Sequence, residues 1–249
     1  MPKISIITST YNASSTLKAC IDSVKAQTNQ DFEYIIIDGG SKDSTIKIVQ
    51  ENLDTVTTWI SESDMGIYDA WNKGIKLATG EWIMFLGADD LLLPETIDNY
   101  IAILNEEELN SLDYISGKVE LVSSTGAVIK IWGTKWMWKD FSRFMNVAHV
   151  ASIHSKKYFE QYGVFDANFK IAGDYELLLR AKKNLRYRFL DKIVARMGYG
   201  GVSSGNSKVF KEALIAKINS GGLNPTLCII DDKVARFKFF IKSLIKYGK

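Results

Sequence analysis

The sequence predicts an α/β domain built on a central, mostly parallel sheet with helices on its faces. Three observations predict it. The first 60 residues alternate short β-branched runs with helix-period stretches in the order β-α-β-α-β. Residues 82–86, Trp-Ile-Met-Phe-Leu, form an unbroken apolar run of strand length, as expected of a strand covered on both faces. The strand-to-helix loops are short and polar, and in open α/β sheets ligands gather at the carboxyl ends of the strands.

Composition narrows the class further. A chain of 249 residues suffices for one large domain with an appendage. An apolar fraction of 46% with 24% charged residues is that of a soluble globular protein. Three prolines and no low-complexity tract leave no evident linker before about residue 200. A net charge of +2 gives no ground for a nucleic-acid partner. Cys20 and Cys228 stand far apart with no CxxC, and read as reduced core residues of a cytoplasmic protein. No signal peptide precedes the first strand, and no apolar run approaches the ~20 residues of a spanning helix.

In order, residues 4–8 are a buried first strand and 8–12 a small polar loop. Leu17, Cys20, Ile21 and Val24 recur at helical spacing, with Ser14 or Ser15 as cap. Residues 32–37 are a second buried strand ending at Asp38-Gly39-Gly40-Ser41. A second helix follows, with Ile46, Val49 and Leu53 on one face, and then a short third strand over 57–60. No GxGxxG and no GxxxxGK[ST] occurs, which excludes the dinucleotide and P-loop classes.

A sheet that binds a diphosphate without a glycine-rich loop needs another source of positive charge. Asp89 and Asp90, where the fourth strand stops, are adjacent carboxylates that repel unless something positive holds them. A hard divalent cation would do so; a solvated turn before Pro94 is the alternative. Asp38 can accept hydrogen bonds from a base or a ribose, with Gly39 and Gly40 allowing close approach; a helix-capping turn is the alternative. Residues 61–74 open a third helix with Ile67, Ala70, Trp71 and Ala78 inward. Asp69, Asn72 and Lys73 adjoin each other near its anion-favouring N-terminus. There Lys73 could face a diphosphate, or the three could form a solvated face.

The pieces so far are Ser-Ile-Ile-Thr-Ser-Thr-Tyr-Asn at 5–12, Ile-Asp-Gly-Gly-Ser-Lys-Asp-Ser-Thr at 37–45, the segment 64–74, Gly80-Glu81-Trp82, and Asp89-Asp90. Together and in this order they resemble the inverting glycosyltransferases of family 2, which have the GT-A fold. The resemblance covers residues 4 to about 95. It implies a GT-A-like domain that binds a nucleotide diphosphate sugar, in the first instance a UDP-sugar. Thr8, Thr10, Tyr11, Asn12, Gly39 and Ser41 would line the nucleotide pocket, with Asp69, Asn72 and Lys73 beyond them. Asp38 would contact the base and Asp89 the ribose side, while Asp90 with Asp89 would hold Mn²⁺ or Mg²⁺. The family's acidic motif is often Asp-x-Asp-Asp, and Gly87 stands in place of its first acid.

The second half is then the acceptor side. Residues 94–104 read as a helix with Ile97, Tyr100, Ile101 and Leu104 inward. Residues 114–122 and 127–132 read as a hairpin. Trp132, Trp136, Met137, Trp138, Phe141 and Phe144 crowd a stretch that also carries Lys135, Lys139 and Arg143. This is either core with snorkelling bases or a surface for a pyrophosphate-linked sugar, with Trp136 and Trp138 as acceptor contacts. His149 and His154, five apart on an extended segment, should point to opposite faces; the resemblance puts His149 near the acceptor. Leu177, Leu178 and Ala181 mark a helix beginning near Asp174. The family's base lies in an acidic pair ahead of such a helix. Here Gly173 replaces its first acid and Asp174 takes the base position, with Glu176 as second candidate. A base there would assist by ~10²–10⁴-fold.

After a strand over 187–197, the glycine- and serine-rich residues 198–206 read as a lid over the donor or as a plain connection. In the tail, Val234, Phe237, Ile241, Leu244 and Ile245 recur at helical spacing among Lys233, Arg236, Lys238, Lys242 and Lys246. A basic amphipathic helix of this kind binds a membrane surface, or else packs on its own domain. The expected division is a glycosyltransferase domain over 1–205 (1–95 for the donor, 96–205 for the acceptor) and a helical appendage over 206–249. The expected activity is transfer, with inversion, from a UDP-sugar to a saccharide or an undecaprenyl-pyrophosphate-linked acceptor in O-antigen-type polysaccharide synthesis. It would take place at the inner face of the cell membrane, without nucleic acid. A sugar-phosphate nucleotidyltransferase and a non-catalytic nucleotide-sugar-binding subunit are the rivals. The former wants a glycine-rich basic loop after the first strand, which residues 8–12 lack.

Overall fold

The computed structural model describes residues 3–106, 111–200 and 207–247, and side chains as far as 241. Its first half runs β1 (Ile4–Thr10), α1 (Leu17–Lys25), β2 (Phe32–Asp38), α2 (Thr45–Gln50), β3 (Thr58–Ser61), α3 (Ile67–Leu77) and β4 (Trp82–Gly87). The second half runs β5 (Leu91–Leu92), α4 (Thr96–Leu104), β6 (Tyr114–Val122), β7 (Val128–Trp132), α5 (Trp138–Phe141), β8 (Ser152–Ser155), α6 (Lys156–Tyr162), α7 (Gly173–Arg180), β9 (Tyr187–Gly198), α8 (Lys208–Asn219) and α9 (Pro225–Tyr247).

Among the described residues all nine strands join one sheet in the order β3-β2-β1-β4-β8-β6-β9-β5, with β7 hydrogen-bonded to β6. The first four are mutually parallel. β8 is antiparallel to both β4 and β6 and joins the two halves. The architecture is GT-A-like: a mostly parallel sheet with helices on both faces.

The apolar runs lack alternation because each strand has two buried faces. Ile4, Ile6, Ile36, Met84 and Leu86 point to one core with Leu17, Ile21 and Val24 of α1 and Tyr100 of α4. Ile7, Ile35, Ile37, Ile83 and Phe85 point to the other, with Trp71 of α3, Phe159 of α6 and Leu177 of α7. Parallel register then brings the strand ends level: Thr10 pairs with Asp38, Ser9 with Gly87, and Asp38 with Ser61. The polar loops therefore meet along one edge of the sheet.

Several local expectations are corrected. α2 ends at Gln50, and Leu53 is exposed rather than inward. α3 begins at Ile67, which faces outward; Tyr68 replaces it in the buried stripe with Ala70, Trp71 and Ile75. Residues 149–151 form a 3-10 turn instead of extended chain. The two histidine rings consequently lie 5.1 Å apart, on the same side. α8 packs on α7, and α9 on α8. No helix among the described residues is long and apolar enough to cross a membrane.

Candidate functional site

The first cluster forms where β1, β2 and β4 end. Asp38, fully buried, accepts the backbone N–H groups of Gly40 and Ser41 at 2.9 Å each and the hydroxyls of Ser61 at 2.7 Å and Thr10 at 3.2 Å. The Ser41 hydroxyl donates to it as well. These donors hold its carboxyl below the ordinary carboxylate range against the opposing pull of burial. Its oxygens are thus committed to stapling the loop after β2, the turn-forming alternative, and a base would have to displace one of these bonds. Asn12 and Ser41 tie the two loops together: the Asn12 N–H donates to the Ser41 hydroxyl, and the Lys42 N–H donates to Asn12 Oδ1, both at 2.8 Å. Tyr11, 65% exposed, stands at the tip beside them. Thr8 is not part of this lining; it is fully buried in β1 and accepts the Tyr34 hydroxyl at 3.1 Å.

The α3 residues are also engaged. Lys73 pairs with Glu62 at 2.9 Å and lies 3.8 Å from Asp69, so its charge is already neutralised. Asp69 accepts the Met65 N–H at 3.1 Å. Asn72 clamps the Phe165 backbone, donating to its carbonyl at 2.8 Å and accepting its N–H at 3.0 Å. Each of the three holds the local backbone or a neighbouring acid, and a diphosphate at this helix would have to share them with those partners.

Asp89 and Asp90 close β4. Asp89 is exposed while Asp90 is buried. Burial first, and then the charge of Asp89, pushes the Asp90 carboxyl up to about 7. Both side chains curl back over Gly87, where an added β-carbon would come within 2.6 Å of Asp90 Oδ2 and 3.0 Å of Asp89 Oδ1. That is the space an acid at position 87 would need. The pair fits a hard cation, since two adjacent carboxylates, one of them buried, repel each other unless positive charge is brought to them. No group of three or more acidic, histidine or cysteine side chains joins them among the described residues, so a bound ion would take its other oxygens from water and a diphosphate, as Mg²⁺ commonly does.

The second cluster surrounds Asp174 at the start of α7. The Tyr68 hydroxyl donates to the Ile171 carbonyl at 2.8 Å and lies 3.4 Å from Asp174 Oδ1. The Tyr175 N–H donates to the same Asp174 oxygen at 2.8 Å. Burial pushes the Asp174 carboxyl up to about 6. Glu212 of α8 accepts the N–H groups of Ile171 and Ala172, both at 2.9 Å, and fixes the backbone that leads into α7. Glu176, the second base candidate, is spent on Arg180 at 2.5 Å and on the Ser220 hydroxyl.

Asp174 and His149 share a cavity of about 340 Å³. Burial takes the His149 ring down to about 3, so it is neutral, and its Nε2 has no hydrogen-bond partner among the described residues. Trp136 and Trp138 do not line this cavity. Trp136 is buried against Trp138, Phe141 and Tyr187, and Trp132 faces the cavity instead. Met197 also lines it, and the next residue, Gly198, presents its N–H to the Asp90 carboxyl. The end of β9 therefore touches both clusters. Residues 201–206, most of the expected lid, lie outside the described residues.

Sequence reasoning missed Tyr68 and Glu212. Tyr68 could have been found from the spacing of Tyr68, Trp71 and Ile75 along one helix face. Glu212 has no local signal, because its partners are some 40 residues away in sequence.

The PGL/p-HBAD biosynthesis glycosyltransferase of Mycobacterium tuberculosis is 34% identical over 223 residues, covering 86% of this chain and 83% of that relative. An uncharacterized glycosyltransferase of Rickettsia typhi is 29% identical over 71% of this chain. Among solved structures, S. aureus TarS 1-349 in complex with UDP-GlcNAc aligns with a TM-score of 0.69 at 19% identity, over 91% of this chain and 69% of that one. Against the longer TarS chain the coverage is 41%. The mannosyltransferase PcManGT from Pyrobaculum calidifontis, in complex with GDP-Man and Mn²⁺, aligns with a TM-score of 0.60 at 18% identity, over 99% of this chain and 79% of that one. The family sequence model described as glycosyl transferase family 2 matches residues 5–152, which run from β1 through both candidate nucleotide loops and the acidic pair to β8. By that match and by the mycobacterial relative, the chain belongs to glycosyl transferase family 2.

Proposed function

We propose that the chain moves a sugar from a UDP-sugar to an acceptor hydroxyl in a single displacement with inversion. The observation that carries this reading is the double contact of β9. Its end links a half-buried carboxylate pair suited to a cation-bound diphosphate to a cavity holding a carboxylate whose affinity for protons is raised. Tyr11, Asn12 and Ser41 would border the nucleotide, and Asp38 would act through the loop that it staples. Asp89 and Asp90 would hold Mn²⁺ or Mg²⁺, which when bound supplies positive charge to the diphosphate. TarS and PcManGT, solved with nucleotide sugars and the latter also with Mn²⁺, support the choice of donor and ion.

Asp174 takes the proton of the acceptor hydroxyl as its oxygen forms the new bond to the anomeric carbon. The bond from that carbon to the diphosphate oxygen breaks, and UDP leaves with the electron pair. A carboxyl with an affinity near pH 6 is a better base than an ordinary carboxylate and is still ionised at neutral pH. The setting we propose is bacterial surface-polysaccharide assembly of the O-antigen kind, on a saccharide or undecaprenyl-pyrophosphate-linked acceptor. Membrane association at the inner face is supported by α9. Leu227, Ile230, Val234, Phe237 and Ile241 recur every three or four residues and are each at least 40% exposed, with Lys233 and Lys238 also exposed on the same helix.

The test is a screen of UDP-sugars with Mn²⁺ or Mg²⁺, read as transfer and as the anomeric configuration of the product. Asp174→Asn should lose transfer while keeping UDP affinity. Transfer by Asp174→Asn at the wild-type rate would overturn the assignment of the base.

A further inference from the structure

The walls of the cavity at Asp174 are more apolar than a sugar alone requires. Trp132, Phe144, Val150, Met197, Phe210 and Leu214 all face it. Among them stands Lys217 of α8, only 5% exposed. Lysine is almost never so buried unless paired. Yet its ammonium makes no hydrogen bond or ion pair within 4 Å among the described residues, and its surroundings act on it only at longer range. The acids nearest to it are committed elsewhere: Asp231 to Arg143 at 2.8 Å and Asp232 to Arg236 at 2.7 Å. An unpaired cation in an apolar wall is stabilised by an anion that a ligand brings with it. Asp232 and Ala235 of α9 complete the wall, so the cavity lies against the helix that carries the exposed apolar stripe.

We propose that this cavity is the acceptor site and that it takes an amphiphile in which a hydrophobic chain carries a phosphate. The chain lies along the aromatic and aliphatic wall, and the phosphate is held by the Lys217 ammonium. The acceptor hydroxyl borne beyond that phosphate meets Asp174. The last point rests on the reading of Asp174 as base; the binding of chain and phosphate does not.

Calorimetry on the full chain without donor tests it, with farnesyl phosphate as the probe and farnesol and inorganic phosphate beside it. Farnesyl phosphate should bind the wild type at least tenfold more tightly than farnesol, and inorganic phosphate should show no measurable binding. Lys217→Met should bring farnesyl phosphate to the level of farnesol. Ala213→Trp, which fills the cavity, should abolish binding of both. UDP affinity in each variant reports that the fold is intact, and Val209→Phe replaces Ala213→Trp if that fold is lost. Equal binding of farnesyl phosphate and farnesol to the wild type would overturn the proposal. So would wild-type affinity for farnesyl phosphate in both variants, which would move the site to the outer face of α9. If UDP-sugars fail to bind while farnesyl phosphate behaves as expected, the donor assignment falls and the cavity assignment stands.

Discussion

The ring of Tyr68 occupies the place that a β-carbon on Gly173 would need: the added atom would come within 2.7 Å of the ring. This contact accounts for the missing first acid of the pair ahead of α7. An aromatic side chain of the donor-side helix α3 fills that space, and its hydroxyl secures the Ile171 carbonyl beside Asp174.

Restoring an acid at 173 should therefore harm the protein. Gly173→Asp should lower stability by about 1–3 kcal/mol, the usual cost of overpacking. Pairing it with Tyr68→Ala should recover part of that loss in denaturant unfolding. Full stability in the single variant would show that the ring can yield.

Tyr68→Phe should keep the packing and lose the hydroxyl. The half-buried Ile171 carbonyl would lose this partner, at a cost of about 1 kcal/mol. The same hydroxyl helps to keep Asp174 ionised. Its removal should shift the lower limb of the pH profile of kcat/KM upward, whereas a purely structural role would leave that midpoint in place.

Asp174 fixes the pH dependence. With its carboxyl at about 6, kcat/KM should fall tenfold per pH unit below that value and level off above it. Asp174→Asn should reduce kcat by about 10²–10⁴-fold. For stability the sign is opposite. The folded carboxyl binds its proton more tightly than the unfolded one, so burying it ionised costs stability above about 6 and nothing below the ordinary carboxylate range. Asp174→Asn should raise Tm at pH 8, and the gain should vanish by pH 4.

Asp38→Ala should cost both stability and nucleotide affinity. It strips acceptors from the Gly40 and Ser41 N–H groups and from the Ser61 hydroxyl. Each donor left unsatisfied costs about 1–3 kcal/mol. Denaturant unfolding alongside UDP titration checks this; weakened UDP binding at unchanged stability would point to direct base contact instead.

Glu212→Gln should loosen the approach to α7. Amide exchange at Ile171 and Ala172 should rise at least tenfold, while exchange in β1 and β4 stays unchanged. Unaltered protection at 171 and 172 would show that α8 does not hold this segment.

Much of the molecule was determined by local sequence. The β-branched runs at 4–8 and 32–37, the apolar run at 82–86 and the helical spacing of Leu17, Cys20, Ile21 and Val24 define the parallel half. Their period and their lack of alternation depend only on neighbours in the chain. The acidic pair and the polar turns at its strand ends were legible for the same reason. Tertiary structure decided what each polar residue does there. Asp38, Lys73 and Asn72 look alike in sequence as ligand-binding candidates, but partners distant in the chain take up their hydrogen bonds and charge. The neighbourhood of Asp174 was likewise set by Tyr68 from α3, Glu212 from α8 and the 3-10 turn that turns His149 inward. Hydrogen bonds and burial are properties of what the fold brings together, and partners such as Ser61 of Asp38, Phe165 of Asn72 and Tyr68 of Asp174 are separated from them by tens of residues that no local pattern spans.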